Sequence, residues 1–169
     1  FSANEYASGF AKPRYIVEGP SGEVLVSDSV KDGAVYVLSD ADKDNRIGDA
    51  EKKKLIGGLD RPFGMAIWKN YLYVAEATSV KRYAYNSRKR EVGAGEEIIS
   101  LKGEDQGHWT RTIVFNAKGD KFYLGIGSRS NVTPGDPEYR AAILRYNPDG
   151  TGREGVASGI RNPVGMAFE

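Results

Sequence analysis

A ten-residue phrase that occurs twice constrains the fold of this chain more than any other feature. Gly58-Leu59-Asp60-Arg61-Pro62-Phe63-Gly64-Met65-Ala66-Ile67 reappears as Gly159-Ile160-Arg161-Asn162-Pro163-Val164-Gly165-Met166-Ala167-Phe168. Midway between the copies, Ile113-Val114-Phe115 stands where the first has Met65-Ala66-Ile67, and Pro13-Arg14-Tyr15-Ile16-Val17 forms a weaker copy near the start. The repeating unit is therefore about fifty residues long. Four starts are visible, giving approximate units 13–61, 62–110, 111–163 and the beginning of a further one at 164–169.

Each unit has the same grammar. A short apolar strand leads through a polar turn such as Ala117-Lys118-Gly119-Asp120 into a second strand: Val24-Leu25-Val26, Leu72-Tyr73-Val74 or Phe122-Tyr123-Leu124. A third follows at Ala34–Leu38, Ser79–Tyr83 and Ala142–Tyr146. A poorer fourth is expected near Lys54–Ile56, Glu97–Ile99 and Glu154–Ala157. Four antiparallel strands per unit of this length predict an all-β chain and a β-propeller, about three blades of which are present. Asp49–Lys53 has room for a single helical turn at most. Rings of this kind close with roughly four to eight blades. The chain therefore reads as part of a longer propeller, its missing blades supplied by the rest of the protein or by another copy.

Composition removes several functions. The 169 residues carry a net charge of +1 with no basic run, which argues against nucleic acid and anionic membrane surfaces as partners. No apolar stretch is long enough to span a bilayer. With no cysteine, the chain gives no sign of its redox compartment. The 21 glycines and 10 tyrosines suit a turn-rich β protein.

Three clusters bear chemistry. The first is Gly107-His108-Trp109-Thr110-Arg111, at the entrance to the strand Ile113–Phe115 and holding the one histidine. An imidazole titrates near neutrality, so His108 is the candidate proton acceptor. The repeat places Arg61, Arg111, Arg161 and Asn162 at equivalent entrances, where a ring of guanidinium groups would suit an anionic planar ligand. The second is Gly125-Ile126-Gly127-Ser128-Arg129-Ser130-Asn131, which opens the longest connection, Ser128 to Arg140. Glycines at a strand end permit close backbone approach, and long connections are often functional. The third runs from Asp40 to Glu51. Asp40, Asp42 and Asp44 occupy positions one, three and five, and Glu51 occupies position twelve, of a calcium-type loop that lacks flanking helices. A solvated turn explains the same residues.

Taken in order, His108-Trp109-Thr110-Arg111-Thr112, Gly127-Ser128-Arg129-Ser130-Asn131-Val132 and Gly159-Ile160-Arg161-Asn162-Pro163-Val164-Gly165-Met166-Ala167-Phe168 resemble the soluble quinoprotein glucose and sorbosone dehydrogenases. The similarity is greatest to the sorbosone dehydrogenase branch, which includes fungal pyranose dehydrogenases. The resemblance implies a six-bladed propeller holding pyrroloquinoline quinone (PQQ) and calcium in a central well. It further implies oxidation of an aldose or aldehyde sugar, an external electron acceptor, and a periplasmic or secreted location. By motif, His108 would be the general base while hydride passes to the quinone. Arg161 and Asn162 would contact the cofactor, and the backbone at Asn162 and Pro163 would lie near calcium. Arg111 is expected as a further carboxylate partner, and Asp40, Asp42, Asp44 and Glu51 as a second calcium site. Gly107 departs from the aspartate that commonly precedes the base in glucose dehydrogenases, which weighs against glucose itself. A non-catalytic propeller that binds a protein or carbohydrate is the alternative. A lactonase-type hydrolase fits less well, because the strand entrances carry arginine and histidine rather than acids.

Overall fold

In a computed structural model that describes residues 3–168, the chain forms three four-stranded antiparallel sheets. The first contains β1 (Pro13–Glu18), β2 (Val24–Asp28), β3 (Gly33–Leu38) and β4 (Lys52–Leu59). The second contains β5 (Met65–Trp68), β6 (Tyr71–Ala75), β7 (Ser79–Asn86) and β8 (Glu91–Ser100). The third contains β9 (Arg111–Phe115), β10 (Phe122–Ile126), β11 (Ala142–Tyr146) and β12 (Glu154–Ser158). Strands pair in chain order within each sheet, so every sheet is a meander. The only helical element among the described residues is a 3₁₀ turn, Asp49–Glu51. This is the partial β-propeller that the repeat predicts.

The sheets stack face to face, and the core lies between them. On the middle sheet successive side chains point to opposite faces. Leu72 and Val74 of β6 pack toward the first sheet with Leu25, Val35 and Met65. Tyr73 and Ala75 pack toward the third with Ile113, Phe122 and Leu124. A strand covered on both faces must be apolar at every position, which is why β6 reads as a continuous apolar run instead of an alternating one. Aromatic rings fill the second interface: Phe115 stacks on Trp68 at 5.7 Å and meets Tyr73 edge-on at 4.8 Å.

The innermost strands β1, β5 and β9 lie side by side and line a concave groove of about 350 Å³ through Tyr15, Ile16, Val17, Met65, Ile67, Ile113 and Phe115. The segments leading into these strands meet at one end of the groove. Gly64 N donates to Arg111 O at 2.9 Å, Ser27 Oγ to Phe63 O at 2.9 Å, and Thr112 Oγ1 to Val164 O at 2.7 Å.

Two of the fourth strands run well beyond the apolar residues that mark them: β4 has 8 residues and β8, with 10, is the longest strand described. Their exposed outer position lets polar residues occupy the ladder, so the apolar signal fades where the strand continues. The start of a further blade at 164–169 forms no strand over residues 164–168, and Glu169 lies outside the described residues. Phe168 instead packs edge-on against Tyr123 at 5.1 Å.

Candidate functional site

His108 lies in the irregular segment between β8 and β9, and both ends of its peptide unit are held. Its N–H donates to Ser128 O at 3.0 Å, and its carbonyl accepts from Arg111 Nη1 at 2.8 Å. The ring is half-buried, and its Nε2 is shielded from solvent without a hydrogen-bond partner. A buried imidazole nitrogen left unpaired is costly unless something else is to meet it.

Gly127 brings the second and third motifs to this histidine. A Cβ on Gly127 would collide with the Cβ of His108 and stand 2.8 Å from Asn162 Oδ1. Only glycine allows both neighbours to come so close. Asn162 Oδ1 accepts from Thr110 Oγ1 at 3.1 Å, which leaves the amide nitrogen of Asn162 to act as a donor. Ser128 N donates to Arg161 O at 2.8 Å. His108, Gly127, Ser128, Arg161 and Asn162 thus form one cluster, although more than fifty residues separate its ends.

The arginines do not form a ring. Arg61 is bound by Asp60 at 2.9 Å and Asp105 at 2.8 Å, with its guanidinium over Trp109. Arg111 is fully buried and donates to carbonyls: His108 O, Thr110 O at 3.0 Å and Glu104 O at 2.5 Å. Burial, aided by the nearby Arg140 charge, pulls the Arg111 guanidinium down to about 10, still protonated at neutral pH. A side chain so enclosed has no surface to offer a ligand carboxylate, so the expected cofactor contact is replaced by a structural one. Arg161 differs from both: it is exposed and makes no ion pair among the described residues.

Glu104 and Arg140 had no signal in the sequence beyond lying at the edges of irregular segments. Glu104 accepts from Arg129 at 3.1 Å, Tyr139 Oη at 2.9 Å and Arg140 Nη1 at 3.2 Å. Burial opposes its ionisation, but the hydrogen bonds from Tyr139, Arg129 and Arg140 outweigh it and hold its carboxyl below the usual 4.5.

The expected metal residues divide. Asp40, Asp42 and Asp44 place carboxylate oxygens within 4.8 Å of one another, and Asn45 adopts the left-handed conformation at φ 64. These acids also accept the loop's own amides: Asp40 bonds Asn45 N at 3.0 Å, and Asp44 bonds Arg46 N at 2.7 Å. Glu51 stands apart from the three, closing the loop through Ala41 N at 2.7 Å and Gly48 N at 3.0 Å. At the His108 cluster, buried Pro163 turns its carbonyl onto β10, 2.8 Å from where a Gly125 Cβ would stand.

Three blades of a propeller thus bring the His108 and Asn162 side chains together beside Gly127, with the main chain of Arg161 against them. The TrAA12-like family matches residues 1–169, and the chain belongs to that family. An uncharacterized protein of Borreliella burgdorferi is 29% identical over 93% of this chain and 41% of its own length. The PQQ domain of a Coprinopsis cinerea pyranose dehydrogenase, in its holo form, superposes with a TM-score of 0.74 at 19% identity, covering 91% of this chain and 40% of that one. A Trichoderma reesei carbohydrate-active enzyme of family AA12 gives 0.68 at 23% identity, covering 84% of this chain and 37% of that one. The PQQ-bound aldose sugar dehydrogenase of Streptomyces coelicolor gives 0.61 at 20% identity, covering 85% and 47%. The chain spans about two-fifths of the length of the Borreliella and Trichoderma proteins.

Proposed function

We propose that the protein containing this chain oxidises an aldose or aldehyde sugar with PQQ, and that His108 takes the proton from the reacting hydroxyl. The observation that carries this reading is the convergence of an unpartnered, buried His108 Nε2 with Asn162 about a glycine that leaves room for both. The residues fit such a cofactor. Arg161 is an exposed cation with no ion-pair partner among the described residues, and Asn162 has an amide donor for a carbonyl or carboxylate oxygen. When bound, the quinone supplies the acceptor for the two electrons that leave the sugar. His108 receives the hydroxyl proton at Nε2, while its backbone, tied at both ends, keeps the ring from swinging away. Calcium belongs to the same reading, with the backbone at Asn162 and Pro163 near it, as the family resemblance implies. An external acceptor and a periplasmic or secreted location belong to the same reading, as the family resemblance implies.

The test adds PQQ and calcium to the full-length protein and follows dye reduction across a panel of aldoses. Wild type is expected to reduce dye with at least one sugar, and His108→Ala to be slower by about 10²- to 10⁴-fold. Wild-type turnover in His108→Ala would remove the base assignment. Failure with every sugar and aldehyde would favour the non-catalytic propeller.

A further inference from the structure

The long connection from Ser128 ends on Arg140, whose side chain is 0% exposed and is not used by the chemistry above. Its Nε donates to Gly127 O at 2.8 Å. Nη1 donates to Glu104 O at 2.7 Å and to Glu104 Oε2 at 3.2 Å. Nη2 donates to Gln106 O at 2.8 Å and to Ser128 O at 3.1 Å. Four of these five acceptors are main-chain carbonyls, and they belong to the two segments that enclose His108. Residues 104–106 lead into it; Gly127 packs against its Cβ, and Ser128 O also accepts its N–H. Arg111 grips the same segment through Glu104 O and His108 O.

Stability alone is a poor reason for this arrangement. Arg140 shares the Glu104 carboxylate with the exposed Arg129, the buried Arg111 beside it meets only main-chain carbonyls, and an apolar side chain of similar volume at 140 would avoid the desolvation of a second buried cation. A planar fork with five donors, however, can hold several carbonyls in fixed relation, which an apolar residue cannot do.

We propose that Arg140 is a positioning residue that sets the His108 imidazole at the site by gripping the carbonyls on either side of it. The role rests on the reading of His108 as proton acceptor, but the geometry can be tested without that reading. In the full-length protein labelled at histidine, the His108 imidazole resonance is identified by its loss in His108→Gln. Arg140→Gln is expected to shift or split that resonance. Leu144→Ala, which opens the core of the same sheet, is expected to leave it in place. With cofactor and sugar present, Arg140→Gln should lower kcat by about 10- to 100-fold with KM unchanged, and Arg140→Lys should recover part of the loss. If Arg140→Gln does not fold, Arg140→Met, which keeps the stem and lacks the donors, is read in the same way. A His108 resonance that overlays wild type in the folded variant overturns the proposal. If no sugar is oxidised, the functional reading fails, while the resonance still decides the positioning role.

Discussion

Single residues at this site act mostly through the space they leave. Gly127 keeps His108 and Asn162 in contact range, so Gly127→Ala should force them apart. The overpacking is expected to cost about 1–3 kcal/mol, seen as a lower melting temperature, and to reduce turnover more than the stability loss explains. Gly107 is limited twice over. Its φ is +68, and a Cβ there would strike the carbonyl of Arg129. An aspartate at this position would need a different backbone path. Glu104 contributes a local pH dependence. Its folded pKa is lowered, so its contribution to stability is present above the unfolded value and is lost as pH falls through the folded one. Protection of the amides of residues 104–108, taken relative to their intrinsic exchange rates, should therefore fall below about pH 4.5, and Glu104→Gln should flatten that response. An acid response unchanged in Glu104→Gln would assign it to other carboxylates.

At the scale of elements, the middle sheet shows how position in the stack dictates composition. β6 serves two cores at once, Leu72 and Val74 in one and Tyr73 and Ala75 in the other. Leu124→Ala on β10, facing only the second interface, should cost about 2–5 kcal/mol in chemical denaturation without altering the first. β6 was legible in the sequence because burial on both faces demands apolar residues. The outer strands β4 and β8 showed only their few apolar anchors in the sequence, because solvent accepts Lys, Glu and Gly beside them. The two-residue-period signal weakens there even though the ladder continues, as the pairing of Tyr85 with Val92 and Asn86 with Glu91 at the far end of β8 shows.

Across the whole molecule, the first and third sheets each have a face that no other sheet in this chain covers. Ile16 on the first is 68% exposed, and on the third side Val156 and Phe168 are 50% and 47% exposed. In a closed ring neighbouring blades would bury such faces. Residues 1–169 expressed alone should therefore self-associate in sedimentation velocity, and Ile16→Ser should weaken the association. A monodisperse monomer at high concentration would show that these faces tolerate water.

Periodicity by itself determined the architecture of this protein. A fifty-residue repeat with alternating apolar segments can bury its strands only by stacking sheets about an axis, and the same repeat carried His108, Arg161 and Asn162 to equivalent entrances. Only the tertiary structure decided which charges remain available there. Arg61, Arg111 and Arg161 all fall close to the start of an inner strand, at neighbouring positions of the repeat, yet one is paired with acids, one is buried among carbonyls and one is exposed. The physical reason is that a guanidinium's role depends on the partners that long-range packing brings to it. Asp105, Glu104 and Arg140 come from irregular segments that follow no repeat.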